Sequence, residues 1–243
     1  MSTHRIAIIG NPNCGKTTLF NKLTGSHQKV GNWAGVTVDK KTGVMSCENR
    51  DIDVVDLPGV YSLSVATQQH AVDELIACRY ITNHRTDLYI NILDAANLQR
   101  NLYLTLQLLE MNVPVILALN MSDIAKKRKI TIDEEKLSAV LGCPVVSLVS
   151  TKAKGIVALK QAILQYQPKK RTPFSLGSSL ESHITDIEKA LPSDVDNQRW
   201  RAIRLLEKEV FASEQADEAL RKKVGQSIEV IEQTMGEETD ILF

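Results

Sequence analysis

Gly10-Asn11-Pro12-Asn13-Cys14-Gly15-Lys16-Thr17 fills every fixed position of the pattern G-x-x-x-x-G-K-[ST]. The spacing specifies chemistry. The glycines let backbone N–H groups curl around phosphate oxygens, and a helix starting beyond Gly15 adds the partial positive charge of its N-terminus. Lys16 then neutralises the outer phosphates, the Thr17 hydroxyl ligates magnesium, and Thr18 joins the phosphate-binding set. An apolar run over 5–9 enters the motif and a helical run over 15–24 leaves it, closed by Gly25, which is the setting such a loop requires.

Three later segments choose the nucleotide. Asp56-Leu57-Pro58-Gly59 ends a predicted strand, so its carboxylate can hold a magnesium-bound water and the Gly59 N–H can meet a terminal phosphate. Asn120-Met121-Ser122-Asp123 follows another apolar run, and an aspartate there can accept both N1–H and N2–H of guanine, which adenine does not present. Such a site rejects the wrong base because mismatched polar groups stay unpaired. Ser150-Thr151-Lys152 follows a third run and can offer a backbone N–H to guanine O6. Each segment alone means little. In this order, each at the carboxyl end of a strand, they specify a GTP-binding, magnesium-dependent site.

The elements that must position these residues alternate through the first 167 positions. Strands are expected over 37–46, 52–56, 88–93, 113–119 and 144–149, with helices over 73–81, 98–111 and 133–141. Ile156, Leu159, Ile163 and Tyr166 give the last helix its apolar stripe. The tail has another rhythm. Leu180, Ile184, Ile187 and Leu191, then Trp200, Ile203, Leu206 and Val210, then Leu220, Val224, Ile228, Ile231 and Met235 form three helical stripes without strands. The expected fold class is therefore α/β: a Ras-like P-loop GTPase domain with a mostly parallel sheet over 1–167, a linker over 168–173, and a small all-helical domain over 174–243.

Composition narrows the alternatives. Of 243 residues 43% are hydrophobic and 24% charged, which is ordinary for a globular chain. Its apolar runs fall far short of the roughly 20 residues a membrane span needs, and the first residues lack signal-peptide architecture, so the chain reads as soluble and unsecreted. The formal charge of zero divides into +7 over 1–171 and −7 over 172–243. Cys14, Cys47, Cys78 and Cys143 have neither zinc spacing nor disulfide-scaffold density, and the five histidines form no metal-ligand pattern. The basic run Lys126-Lys127-Arg128-Lys129 lacks interleaved aromatics, so it reads as a solvated loop and no nucleic-acid partner is expected.

The stretch Gln28-Lys29-Val30-Gly31-Asn32-Trp33-Ala34-Gly35-Val36-Thr37-Val38 resembles the first switch region of the bacterial ferrous iron transport protein B family. Gly10-Asn11-Pro12-Asn13, Asp56-Leu57-Pro58-Gly59, Ala95-Ala96-Asn97-Leu98-Gln99-Arg100-Asn101-Leu102-Tyr103-Leu104-Thr105 and Asn120-Met121 extend the resemblance. It is dense over 5–167, and over the acidic helices it is one of architecture. It implies a GTPase that binds GTP and GDP, is slow and potassium-stimulated, and regulates iron uptake. The partner would be a membrane-embedded transporter domain of the same polypeptide, at the cytoplasmic face of the bacterial inner membrane. Oligomerisation is left open.

Val60 follows Gly59, where Ras-like proteins carry the glutamine that orients the attacking water. Valine cannot do so. The resemblance implies potassium instead, held by Asn13 and the backbone carbonyls of Gly31 and Trp33. It also implies that Thr37 joins Thr17 and Asp56 on magnesium, with Gly35, Val36, Val38 and Asp39 around the nucleotide. Asn13, Lys16, Thr37 and Gly59 would be the catalytic set. Met121 stands where many such proteins have lysine; it can still cover the guanine ring, with weaker affinity expected. Trp33, between glycines, is expected to be mobile rather than packed. The rival reading is a ribosome- or RNA-associated assembly GTPase, which also lacks the glutamine but usually adds a basic module.

Overall fold

The protein is described by a computed structural model over residues 4–25, 28–48, 50–64, 72–83, 86–168, 174–193, 197–209, 212–213 and 216–242. The linker expected over 168–173, apart from Pro168, and Val210 lie outside these residues. Strands β1 (His4–Gly10), β2 (Gln28–Asn32), β3 (Asp39–Cys47), β4 (Arg50–Asp56), β5 (Leu88–Asp94), β6 (Val115–Asn120) and β7 (Val145–Ser147) form one sheet in the order β2-β3-β4-β1-β5-β6-β7. β1 pairs in parallel with β4 and β5, and β5, β6 and β7 continue in parallel; β3 is antiparallel to β2 and β4.

The central strands are buried on both faces, as strands covered by helices on either side must be, which is why they read as continuous apolar runs. The helices of this part are α1 (Lys16–Thr24), α2 (Val72–Asn83), α3 (Leu98–Glu110), α4 (Ser122–Lys127), α5 (Glu134–Leu141) and α6 (Ile156–Leu164). Leu19, Phe20 and Leu23 of α1 and Ile156, Leu159 and Ile163 of α6 share a core with Ile6, Ile8, Ile90, Ile92 and Ile116 of the sheet. All four cysteines are free thiols. The basic run is exposed as expected, but Lys126 and Lys127 close α4 rather than sit in a loop.

Sequence reading missed β2. It is a short edge strand with an exposed burial pattern and none of the apolar alternation that marks a strand; its register comes from pairing with β3, Asn32 opposite Asp39. Residues 33–38 thus become a hairpin loop, closed by Trp33 N–H on Val38 O at 2.9 Å. Trp33 is also not loose. It is buried, edge-to-face with Tyr80 at 5.5 Å between centroids, and Lys40 Nζ lies 4.8 Å from its ring. The flanking glycines offer no local packing, but α2 and β3 supply it through tertiary contact.

The second compact unit contains α7 (Ser178–Glu188), α8 (Gln198–Leu206), α9 (Glu218–Met235) and α10 (Thr239–Leu242). Its core joins Leu180, Ile184, Ile187, Ile203, Leu206, Leu220, Val224 and Ile231, so the three stripes do face inward; Met235 is the exception, being exposed. Ser64, Val72 and residues 110–112 group with this unit rather than with the sheet. Within it Arg204, 2% exposed, lies 2.6 Å from Glu207 and 3.6 Å from Glu110, and donates to Ser64 Oγ at 2.6 Å. Among the described residues no helix is long and apolar enough to cross a membrane.

Candidate functional site

A cleft of about 700 Å³ opens over the carboxyl ends of the parallel strands, where an open α/β sheet presents its loops. Asn11, Pro12, Asn13, Gly15, Lys16, Thr17 and Thr18 line it from the loop after β1, and Gly59 from the segment after β4. Asn120, Met121 and Asp123 reach it after β6, and Ser150 and Thr151 after β7. Asp73, Ile124 and Val149 also line it. Sequence reading gave them no site role: Ile124 and Val149 adjoin motif residues, which was a usable signal, whereas Asp73 read only as the start of a helix.

The loop is wound by its glycines. Gly15 has φ 93°, and a Cβ there would collide with Asn120 Nδ2, so backbone and asparagine meet at a distance that only glycine permits. Asn120 is 2% exposed. Its Nδ2 donates to Cys14 O at 2.9 Å and its Oδ1 accepts from Ser150 N–H at 2.9 Å, tying the phosphate loop to the last loop of the cleft. That bond and Lys152 N–H on Val149 O engage two of the three candidate donors, which leaves the Thr151 N–H. Met121, at φ 59°, turns the chain so that α4 starts with Ser122, whose hydroxyl donates to Leu148 O at 2.9 Å.

Charge collects at the two ends. At one, Lys16 Nζ lies 2.7 Å from Asp56 Oδ1. Burial pushes the Asp56 carboxyl up from its ordinary range, and the neighbouring ammonium only partly pulls it back. At the other, Asp123 Oδ2 accepts from Lys152 Nζ at 2.9 Å, and that hydrogen bond holds the Asp123 carboxyl below its usual range. Cys14 is buried beneath the loop, and its thiol is pushed up to about 11 by that burial, which makes it inert at neutral pH.

Of the other expected residues, Gly10, Leu57 and Pro58 are buried supports, and Lys152 reaches the site through Asp123. Val60 is fully buried with its N–H on Gly10 O at 3.2 Å, so its side chain takes no part in the cleft. Gly31, Trp33, Gly35, Val36, Thr37, Val38 and Asp39 belong to β2, β3 and the hairpin loop; none of them lines the cleft, and Thr37 is exposed. The structure therefore brings Thr17 to the cleft with Asp56 beside Lys16, but leaves Thr37 apart; it brings Asn13 to the cleft, but not Gly31 or Trp33. Among the described residues no three His, Cys, Asp or Glu side chains cluster as a metal cage. The donors present, one buried carboxylate and a threonine hydroxyl at the cleft, are hard oxygens that suit magnesium sharing its shell with phosphate and water.

The family described as ferrous iron transport protein B matches residues 4–163, and its cytosolic helical domain matches residues 177–243. The chain belongs to the ferrous iron transport protein B family. The Fe(2+) transporter FeoB of Escherichia coli (strain K12) is 50% identical over 217 residues, which are 88% of this chain and 28% of the transporter. That of Salmonella typhimurium is 48% identical over the same shares. The chain thus spans little more than a quarter of the curated FeoB relatives it matches. Among solved structures, an S. thermophilus NFeoB mutant bound to GDP superposes with a TM-score of 0.90 at 37% identity, over 99% of this chain and 94% of that one. The cytosolic domain of T. maritima FeoB in its GMPPNP form gives 0.81 at 34%, over 96% and 98%. Membership of the FeoB family sets the ribosome-associated alternative aside.

Proposed function

We propose that the cleft binds guanine nucleotide with magnesium and hydrolyses GTP to GDP and phosphate. The single observation that carries this is the bracing of Asn120 between Cys14 and Ser150, which fixes the distance between a phosphate-binding end and a base-binding end. Solved FeoB structures bound to GDP, or in a GMPPNP form, support the reading.

The residues divide the work. Backbone N–H groups of 13–17 cradle the phosphates, and Lys16 exchanges its Asp56 partner for phosphate oxygen. That exchange frees the Asp56 carboxylate for the magnesium side, where Thr17 completes the protein's share. Magnesium supplies neutralisation of developing phosphoryl charge when bound. Asp123 reads the base edge, Thr151 offers it an N–H, and Met121 covers its face. Gly59 directs its N–H at the terminal phosphate.

With Val60 buried, no glutamine orients water, and potassium near Asn13, Gly31 and Trp33 is the proposed substitute, giving slow hydrolysis. The hairpin loop 33–38 must then move towards the cleft, bringing Thr37 with it. Hydrolysis would regulate ferrous iron uptake through a membrane domain of the same polypeptide, with this chain on the cytoplasmic side of the bacterial inner membrane. Phosphate release from GTP, measured in potassium and in sodium at equal ionic strength, tests the catalytic part. A stimulation of about tenfold by potassium, equivalent to about 1.4 kcal/mol of barrier, is expected. Equal rates would remove potassium from the account.

A further inference from the structure

Asn11 is the anomaly of the phosphate loop. The residue is 3% exposed, and neither Oδ1 nor Nδ2 of its side chain has a hydrogen-bond partner. The other polar side chains deep in the cleft are matched: Lys16 with Asp56, Asn120 with two backbone groups, Ser122 with Leu148. A buried primary amide without partners is costly, and a native structure that keeps one calls for an explanation.

Its position supplies one. Asn11 lines both the nucleotide cleft and an adjoining polar cavity of about 900 Å³, whose walls include Tyr61 and Arg100. The segment after Asp56 passes directly over this part of the loop: a Cβ on Gly59 would lie 3.3 Å from Pro12 Cα. That segment is fixed at two points, Leu57 N–H on Ile8 O at 3.0 Å and Leu63 N–H on the buried Gln107 Oε1 at 2.7 Å. Between them the hold is weaker. Val60 N–H reaches Gly10 O at 3.2 Å, and the half-exposed Tyr61 ring rests under the Arg100 guanidinium at 4.3 Å. Gly59 has the backbone freedom to turn its peptide planes while the Val60 side chain stays seated.

We propose that Asn11 is a positioning residue for the triphosphate state: when Gly59 turns its N–H to the terminal phosphate, the peptide groups on either side of Val60 come onto the Asn11 amide and satisfy it. The unpaired amide is thus held in reserve. It disfavours the nucleotide-free and diphosphate arrangements and favours the one in which the segment engages phosphate. Asn11 touches no reacting atom. This rests on the guanine-nucleotide reading of the cleft.

The test is Asn11→Leu, an apolar side chain of the same branching, with Asn11→Ala as the smaller alternative if leucine fails to fold. Affinities for GDP and for a non-hydrolysable GTP analogue, with magnesium, are measured beside thermal melts of the nucleotide-free protein. The variant should melt at or above the parent. It should bind the analogue about tenfold more weakly while GDP affinity changes less than threefold. An equal loss for both nucleotides, or a lowered melt with an unchanged ratio of affinities, would make Asn11 a merely structural residue and overturn the proposal. Failure of the parent itself to bind GDP would instead sink the reading of the cleft.

Discussion

Lys16 Nζ and Asp56 Oδ1 lie 2.7 Å apart, with the two side chains only 13% and 5% exposed. The lysine of the phosphate loop thus sits on the carboxylate proposed for magnesium, and each balances the other's charge. The pair adds little net stability of its own, because taking two charges out of water offsets much of their attraction.

A pH dependence follows. Burial outweighs Lys16 in setting the Asp56 pKa, which lies above its unfolded value. Ionisation of Asp56 therefore works against the fold: its contribution is full below the ordinary carboxylate range and is lost as pH rises through the raised folded value. Asp56→Asn, free of nucleotide, leaves Lys16 without its partner, but its stability relative to the parent should rise as pH is raised from 4 to 7, because only the parent's carboxyl ionises. The same variant should lose the magnesium dependence of nucleotide affinity. Melts across pH and titrations with and without magnesium read both effects. A stability difference that does not change with pH, together with an unchanged magnesium response, would contradict the assignment.

Asp123 offers a change of specificity. Its carboxylate holds Lys152 and accepts from Ile124 N–H at 3.1 Å. In Asp123→Asn an amide would pair with the carbonyl that xanthine presents in place of the guanine N2 amine. Preference should shift from GTP towards xanthosine triphosphate by about 10²-fold or more, since a mismatched base edge leaves polar groups unpaired. Competition between the two nucleotides measures it, and unchanged selectivity would take Asp123 out of the base site.

The loops of this cleft were legible in the sequence because their chemistry is local. Gly10 to Thr17, Asp56, Asn120 and Asp123 sit at fixed offsets from apolar strands, and the strands announce themselves by composition. What was not legible depends on tertiary contact. β2 is polar and exists through its pairing with β3, so no strand was read over residues 28–32. Trp33 packs because Tyr80, 47 positions away, comes beside it. Gln107 caught Leu63 N–H and Arg204 caught Ser64 Oγ without any spacing rule to betray them. Nor could a pattern show that Ser64 and residues 110–112 would group with the helical unit, since chain order alone places them in the GTPase part.

Arg204 gives a prediction for that second unit. Removing it leaves Glu110 and Glu207 facing each other's surroundings without their cation, which typically costs about 3–5 kcal/mol for a buried pair. Arg204→Ala should lose stability of that order in urea. Burial already raises the Glu110 pKa despite Arg204, so the deficit should shrink as acid protonates the carboxyl. Combining the change with Glu110→Gln should recover part of the loss. A pH-independent loss, unaffected by that second change, would mean that packing rather than charge is what Arg204 provides.

The central claim is that this cleft recognises a guanine nucleotide, and direct binding tests it with least intervening argument. Magnesium GDP and magnesium ADP are titrated calorimetrically into the nucleotide-free protein at one ionic strength, with Lys16→Ala as the control for the phosphate end. The account predicts one GDP site, a preference over ADP of roughly 10³-fold or more, and most of the GDP affinity lost in the variant. Comparable affinities for GDP and ADP, or undiminished GDP binding by Lys16→Ala, would contradict it.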